Sequence, residues 1–399
     1  MSRPRTGPMQ SAGREVVLAE AVRTPMGKGH PEKGWYRDTH PNEMLAACYD
    51  ELLARADLRA TEVEDLVIGC TAPFGEQSRN IGRNAWLQAG HPPEVPAVTL
   101  DRRCGSAQTA AEMGAGLVGS GTHDIVIAGG VEHMGRVPIN SPGEISKLYG
   151  DPWPAELREQ YSFVHQGESA ELIAEQWAIE RAEMDEFAVR SHRLAAQANS
   201  EGRFDAEIVP MELVGETRRN DQGIRPDTEL AALAQLKTPF RAENGRITAG
   251  TSSQISDGAA AVLLTSRTAA NEFELDARAR VLDQTTVGVD PIIMLTGPIP
   301  ATRKLLDRNG LSIDDIDLIE INEAFASVVL AWEREFKPDM DRVNVNGGAI
   351  ALGHPVGATG ARLMATLVAE MERRDVELGL VTMCCGGGLG TATLIERAG

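Results

Sequence analysis

The stretch Leu378–Gly388, LGLVTMCCGGG, passes from an apolar run into two adjacent thiols and then into three residues with no side chain. By itself it reads as a buried strand ending in a tight turn. It decides the fold because it closes a sequence of elements that the chain has already used once. In the second half, IDDIDLIEINEAF (Ile313–Phe325) supplies a strand, and VNVNGGAIALGHPVGATGARLMATLVAEMERR (Val343–Arg374) supplies a turn and a small-residue helix. In the first half, VEDLVIGC (Val63–Cys70) is the strand, VPAVTLDRRCGSAQTAAEMGAGLVGSG (Val95–Gly121) the strand, turn and helix, and HDIVIAGG (His123–Gly130) the last strand. The matching order and comparable spacing predict two related α/β halves. Both helices, AQTAAEMGAG and GATGARLMATLVA, are small-residue surfaces that permit close approach, so they are expected to be buried between sheets.

Between about 140 and 240 the texture changes. SPGEISKLYGDPWPAELREQYSF precedes one long helical candidate, ESAELIAEQWAIERAEMDEFAVRSHRLAAQA, which predicts an inserted, partly helical domain. TAGTSSQISDGAAAVLL then returns the chain to a buried strand. The expected division is 1–130 with 240–272 as the first half, 131–239 as the insertion and 273–399 as the second half. A doubly wound nucleotide-binding fold is the competing reading, but G-x-G-x-x-G is missing from the first strand-to-helix turn and G-x-x-x-x-G-K-[ST] is absent.

The 399 residues are 42% hydrophobic and 24% charged, with a formal charge of −19. That balance fits a globular protein and argues against a general nucleic-acid surface. The opening MSRPRTGPMQSAGREVV lacks the apolar run of a secretory signal, and no later stretch is apolar enough to span a bilayer, so the expected location is the cytoplasm. Five cysteines without regular spacing fit free thiols better than a disulfide framework. No C-x-x-C or H-x-x-x-H pair offers zinc geometry, so no metal is expected.

Four places carry chemistry. Cys104 lies between a predicted strand and an alanine-rich helix, where unpaired backbone N–H groups favour a thiolate nucleophile; the competing role is a small buried apolar side chain. Gly105 beside it leaves room for a substrate. His354, in NGGAIALGHPVGATG, occupies the corresponding turn of the second half, with Pro355 and Gly357 constraining it, and can take a thiol proton or donate to a carbonyl oxygen. Cys384 ends the last strand, where its sulfur can face a cavity that a glycine N–H also enters; Cys385, pointing the opposite way, is assigned to packing. In EINEAFA, the Asn322 amide can hold a water or a substrate oxygen, and Glu323 either orients its neighbours or caps a helix.

Taken together, these segments resemble the thiolase family across nearly the whole chain. AVRTP (Ala21–Pro25), CGS at Cys104, SDGAAA from Ser256, NEAF from Asn322, GHPVGATG from Gly353 and CCGGG from Cys384 stand in thiolase order. The resemblance implies an αβαβα core of five layers built from two similar βαβαβαββ halves, an inserted loop domain, and oligomers built on dimers, often homotetramers. It implies Cys104 as the acyl-accepting nucleophile, His354 as its activator, Cys384 as the acid/base at the carbon centre, and Asn322 as the holder of an oxyanion-binding water. The backbone N–H groups of Cys104 and Gly386 would form a second oxyanion hole. For the CoA and acyl groups it points to Ala249, Ser253 and Ile255 in TAGTSSQISDG, to Met294 in DPIIMLTGP, and to His165 in HQGESAE. There Gln166 stands where the family commonly has Met, and Leu295 where it commonly has Gly. The stretch DQGIRPDTELAALAQLKTPF looks most like degradative 3-ketoacyl-CoA thiolases. Coenzyme A is then substrate and product, no cofactor is tightly bound, and a hydratase/dehydrogenase partner is left open. An acetyl-CoA C-acetyltransferase acting on acetoacetyl-CoA is the neighbouring alternative, and a non-catalytic acyl-CoA-binding protein the alternative from another class.

Overall fold

The computed structural model describes residues 14–398. Most of the opening stretch read above for a leader, and the domain limits at 1 and 399, lie outside these residues.

The first half contributes β1 (Val16–Arg23), β2 (Asp65–Gly69), β3 (Ala97–Leu100), β4 (Ile125–His133) and β5 (Ser256–Ser266). The second contributes β6 (Ala279–Gly288), β7 (Leu318–Ile321), β8 (Leu378–Cys385) and β9 (Leu389–Arg397). Hydrogen bonding orders the first sheet β3-β2-β4-β5-β1 and the second β7-β8-β9-β6, with a bridge from Val343 to Ile319 adding the counterpart of β3 outside β7. The pairing senses repeat as well: β2–β4 and β7–β8 are parallel, whereas β4–β5 and β8–β9 are antiparallel. The two sheets meet along β1 and β6 through only two register pairs, Val17 with Arg280 and Leu18 with Ala279.

Every residue of β4 and β5 is buried, because both faces of the first sheet are covered. Alternate side chains divide between two cores. Val126, Ala128, Ala260, Val262 and Leu264 face the centre of the molecule. Ile125, Ile127, Ala259, Ala261 and Leu263 face an outer layer of α1 (Pro41–Arg55) and α2 (Ile81–Gln88), including Tyr49, Leu52 and Trp86.

The central layer is formed by α3 (Ser106–Ser120) and by the helix Thr359–Arg374, both packed with the inward residues of the two sheets. The two helices approach so closely at their first turns that a Cβ at Gly360 would collide with the backbone N of Gln108. The small-residue reading of these helices therefore describes a real constraint of the core. An outer layer of helices Pro298–Asn309 and Ala326–Phe336 covers the second sheet, closing the αβαβα stack around Leu305, Val329 and Trp332.

The chain between His133 and Ser256 adds no strand to either sheet. The one long helix expected from 168 onward is in fact two, α4 (Gln166–Gln176) and α5 (Arg181–Ser200). Ala178 adopts a left-handed φ of 50°, Ile179 is fully buried, and Glu180 with Glu183 forms a reciprocal capping box that starts α5. Apolar periodicity continues through the break, so it was invisible to a reading based on period. Residues of both helices, Ile173 and Phe187 among them, join the outer core of the second half. Numbering on from α5, the helices of the second half are α6 (Pro298–Asn309), α7 (Ala326–Phe336) and α8 (Thr359–Arg374).

Candidate active site

The site forms where the first turns of α3 and α8 meet the ends of β7 and β8. Cys104 follows Arg103, which has a left-handed φ of 52°, and precedes Gly105, the N-terminal flank of α3; among the described residues no side chain caps that helix. The N–H groups of Gly105 and Ser106 donate to the carbonyls of Arg102 and Arg103, which sets the tight turn that holds Cys104 at the start of α3. Cys104 is only 4% exposed. Burial pushes its thiol up to about 11, opposed by hydrogen bonds to the sulfur from the N–H of Gly386 and from its own N–H, and by the charge of Arg103. In the resting protein the sulfur is protonated, and it needs a base.

The cysteine and glycine run Cys384–Gly388 has a structural explanation. Cys384 packs into the outer core of the second half, whereas Cys385 packs into the central core. Burial raises the Cys384 thiol well above its ordinary range, and the proximity of Cys104 and Cys385 raises it further. The Cys104 and Cys384 sulfurs are thus close enough for ionisation of one to oppose ionisation of the other. Cys385 presses its sulfur to 2.6 Å from where a Cβ on Gly105 would stand. Burial raises its thiol too, against a hydrogen bond from the Gly105 N–H. Gly387 and Gly388 adopt φ of 82° and 81°, and a Cβ on Gly388 would lie 2.7 Å from the Val289 carbonyl oxygen. Only glycine turns the chain there without strain.

His354 is brought in by a buried turn. Its backbone N–H donates to the Ser256 hydroxyl at 3.1 Å and to the Gln254 carbonyl at 3.3 Å, and Ser256 in turn donates to Gln254 at 2.8 Å. The Thr359 hydroxyl donates to the Pro355 carbonyl at 2.8 Å, which leaves its oxygen to accept from the imidazole Nδ1–H at 2.6 Å. The lone pair is then on Nε2, 3.4 Å from the Asn322 amide nitrogen. Burial lowers the imidazole pKa to about 3, with the Arg362 charge adding to the effect. The ring is a neutral base with its acceptor nitrogen facing the site.

Asn322 extends β7 by one residue, beside the end of its parallel neighbour β8, and its N–H donates to the Thr382 carbonyl at 3.1 Å. Its side-chain oxygen is buried without a partner. An orphaned buried acceptor is costly, and it marks a place for a water or a substrate donor. Glu323 is buried too, and it accepts from Ser191 at 2.7 Å, from Asn344 at 2.9 Å and from the Ile350 N–H at 3.1 Å. It ties the insertion to the turn that carries His354, so it orients neighbours and does not cap α7.

The contacts gather these residues into two groups. Cys104, Cys384 and Gly386 form one, and His354 with Asn322 the other; among the described residues no hydrogen bond joins them directly. Gln166, at the start of α4, brings its amide nitrogen to 2.5 Å from a hypothetical Cβ on Gly386. Met294 is buried, and its sulfur accepts the Gly387 N–H at 3.4 Å. His165 is exposed; it caps α4 through the Gly167 N–H and stacks on Phe240 with ring centroids 5.3 Å apart. Ala249 is exposed, Ser253 is half-buried, and Ile255 is 47% exposed. Sequence reasoning missed Thr359, which sets the imidazole tautomer. GHPVGATG contained the signal, a hydroxyl five residues beyond the histidine, at the start of the following helix.

Among the described residues, no His, Cys, Asp and Glu group is arranged to hold a metal ion, all five cysteines are free and buried, and no helix is long and apolar enough to cross a membrane.

Comparison with known proteins gives one answer. Residues 16–268 match the thiolase N-terminal domain and residues 275–397 the thiolase C-terminal domain. A steroid 3-ketoacyl-CoA thiolase, FadA6, of Mycobacterium tuberculosis is 45% identical over 98% of this chain and 97% of that protein. A 3-ketoacyl-CoA thiolase of Idiomarina loihiensis is 43% identical over 96% of this chain and 100% of its own length. The crystal structure of the Bacillus anthracis acetyl-CoA acetyltransferase superposes with a TM-score of 0.87 at 36% identity, covering 97% of this chain and 99% of that one. With both domain models matched and the layered architecture shared, the chain belongs to the thiolase family, and it is an enzyme of acyl transfer.

Proposed function

We propose that the protein cleaves 3-ketoacyl-CoA with free CoA, releasing acetyl-CoA and a shortened acyl-CoA. One observation carries this reading: two free buried sulfurs stand at element ends, Cys104 just before the start of α3 and Cys384 at the end of β8. Carbon–carbon cleavage beside a ketone needs a carrier for the acyl fragment and a proton for the carbanion left behind, and two thiols divide those tasks.

His354 takes the Cys104 proton through Nε2, and the sulfur attacks the 3-keto carbon. The C2–C3 bond breaks, its electron pair passes to acetyl-CoA as an enolate, and Cys384 supplies the proton. The acyl group stays on Cys104, its oxygen facing the N–H groups of Cys104 and Gly386, while the Asn322–His354 pair faces the enolate oxygen. CoA thiolate, its proton taken by Cys384, then attacks the thioester and releases the Cys104 thiolate, which recovers its proton from His354. Ala249, Ser253, Ile255, His165, Gln166 and Met294 line the path of the CoA and acyl chains. Residues 131–239 act as the cover of that path, between a first half of 1–130 with 240–272 and a second of 273–399.

A second reading, reversible formation of acetoacetyl-CoA, is favoured by the likeness to an acetyl-CoA acetyltransferase. Rates with acetoacetyl-CoA and with longer 3-ketoacyl-CoAs separate the two: efficient turnover of the four-carbon substrate alone defeats the longer-chain assignment. The non-catalytic alternative predicts no acyl adduct on Cys104. Brief exposure to an acyl-CoA should instead leave an adduct that disappears when CoA is added. We further propose a cytoplasmic protein in which a second copy pairs along β3, an edge strand whose Val98 is exposed, giving a homodimer or a homotetramer made of two dimers. The same reading leaves room for a hydratase/dehydrogenase that delivers substrate.

A further inference from the structure

Five buried residues, His354, Thr359, Arg362, Glu320 and Asn322, close a ring where β7 meets α8. The imidazole Nδ1 meets the Thr359 hydroxyl at 2.6 Å, and Nε2 lies 3.4 Å from the Asn322 amide nitrogen. Arg362 stands three residues beyond Thr359, its neighbour on the surface of α8. Glu320 stands two residues before Asn322, on the β7 face that carries Leu318 into the central core. The ring closes where Arg362 Nη1 approaches Glu320 Oε2 at 3.7 Å, beyond good hydrogen-bond length. Among the described residues none of the Arg362 guanidinium nitrogens makes a hydrogen bond, and Glu320 Oε2 makes none either. Arg23, also fully buried, is the contrast: it pairs with Glu207 at 2.5 Å and with Asp221 at 2.7 Å. A buried cation without such partners is costly, and its field is weakly screened.

Resting on the 3-ketoacyl-CoA reading, we propose that Arg362 is a positioning residue whose fixed positive charge, behind the Asn322–His354 pair, keeps the imidazole unprotonated at rest and attracts the enolate oxygen. A ring that holds a proton poorly returns it readily to the Cys104 thiolate at the end of the cycle, and the same charge favours negative charge on the oxygen the pair faces. Glu320 neutralises the guanidinium incompletely: burial pushes its carboxyl well above the usual range against the Arg362 charge, and Glu207, Glu323 and Glu370 push it further. The remaining charged groups around the ring have partners of their own. Glu207 and Asp221 are held by Arg23, Glu370 by Arg373 and Arg374, Glu323 by Ser191 and Asn344, and Glu132 of β4 accepts the Gly357 N–H. On the substrate side, burial keeps the Cys104 and Cys384 thiols protonated. Consistent with this arrangement, burial first and the Arg362 charge second lower the imidazole pKa to about 3.

The test joins a ring ¹⁵N titration of His354 with steady-state kinetics on 3-ketohexanoyl-CoA. Arg362→Met should protonate the ring at a higher pH than the wild type and lower kcat by about tenfold or more, with KM little changed. Arg362→Lys keeps the charge and should restore part of both effects. Glu320→Gln can remove only negative charge, so it should not raise the pH at which the ring protonates. If Arg362→Met does not fold, Arg362→Met combined with Glu320→Leu leaves neither buried charge of the pair and carries the same comparison. An unchanged ring titration in the folded variant without the guanidinium overturns the inference, since a merely structural arginine would cost activity without moving that titration. An upward shift in Glu320→Gln as large as in Arg362→Met overturns it as well. Failure of the wild type to cleave the substrate, with no adduct on Cys104, overturns the 3-ketoacyl-CoA reading instead, and the ring titration then decides on Arg362 by itself.

Discussion

The two halves place the same three elements in the same order, yet the connection before their central helices differs. In the first half, Asp101–Gly105 passes directly from β3 into α3, and the short turn leaves Cys104 at the helix start. In the second, the chain from Asn346 to Ala358 takes a detour through a small helix, Ala349–Leu352, before α8 begins. The detour carries His354 away from the helix axis and returns it under the hydroxyl of Thr359. The comparison shows how one repeated frame yields an acid and a base. A tight connection sets a sulfur at the start of a helix, and a longer one presents an imidazole whose tautomer the following helix dictates. Ser256 and the carboxylate of Glu132 lock the second turn to the first half; Glu132 accepts the Gly357 N–H at 3.0 Å.

The sharpest way to break this comparison is to remove the thiol of the short turn. Cys104→Ala should abolish acyl-enzyme formation, read by intact mass after exposure to an acyl-CoA. His354→Ala should still acylate, with kcat lowered by about 10²–10⁴-fold. If the two variants retain equal adduct, the assigned nucleophile is wrong. Next, Cys384→Ala should keep acyl exchange at Cys104 but lose carbon–carbon cleavage by about 10²–10⁴-fold. Equal loss of both partial reactions would refute the division between the two sulfurs.

A smaller effect tests the detour itself. Thr359→Val removes the acceptor for Nδ1–H and should lower kcat by about 3–10-fold, with ring ¹⁵N shifts moving away from the Nδ1–H tautomer. The same NMR experiment on the wild type should show the His354 ring neutral down to acid pH, because burial has lowered its pKa from 6.5 to about 3. The sign follows by linkage: below about pH 6.5 the unfolded chain binds a proton at this position that the folded one does not. Stability should therefore fall between that pH and about 3, and His354→Gln should flatten this part of the denaturation profile. An unchanged profile would show that the ring titrates normally.

The smallest effects concern the helix pair. Gly360→Ala drives a methyl into the backbone of α3 and should cost about 1–3 kcal/mol in chemical denaturation. Gly116→Ala, with nothing within 4 Å, should stabilise α3 by about 0.5–1 kcal/mol. A reversal of these signs would mean that the helices are not in contact at their first turns.

Much of this was legible residue by residue. The strands at Leu66–Ile68, Ile125–Ala128 and Leu378–Cys385 announced themselves as apolar runs, and the two central helices by their small residues, because those patterns reflect local burial on both faces. The chemically competent types, Cys104, His354, Cys384 and Asn322, stood at turn signals. The break at Ala178 did not, since a single left-handed residue leaves hydrophobic period unchanged. Glu323 was ambiguous for the same reason: its partners Ser191, Asn344 and Ile350 are distant in sequence, and nothing local distinguishes an orienting carboxylate from a cap.

The order of residues by itself determined the duplicated α/β frame, the free thiols and the glycine turn after Cys385, because each depends on periodicity, residue type and short-range backbone geometry. Only the folded structure decided which nitrogen of His354 holds its proton, that Thr359 accepts from it, and that Glu323 joins Ser191 of the insertion to Asn344 and Ile350. Those outcomes depend on burial and on partners brought together from both halves and from the insertion, and three-dimensional packing sets them.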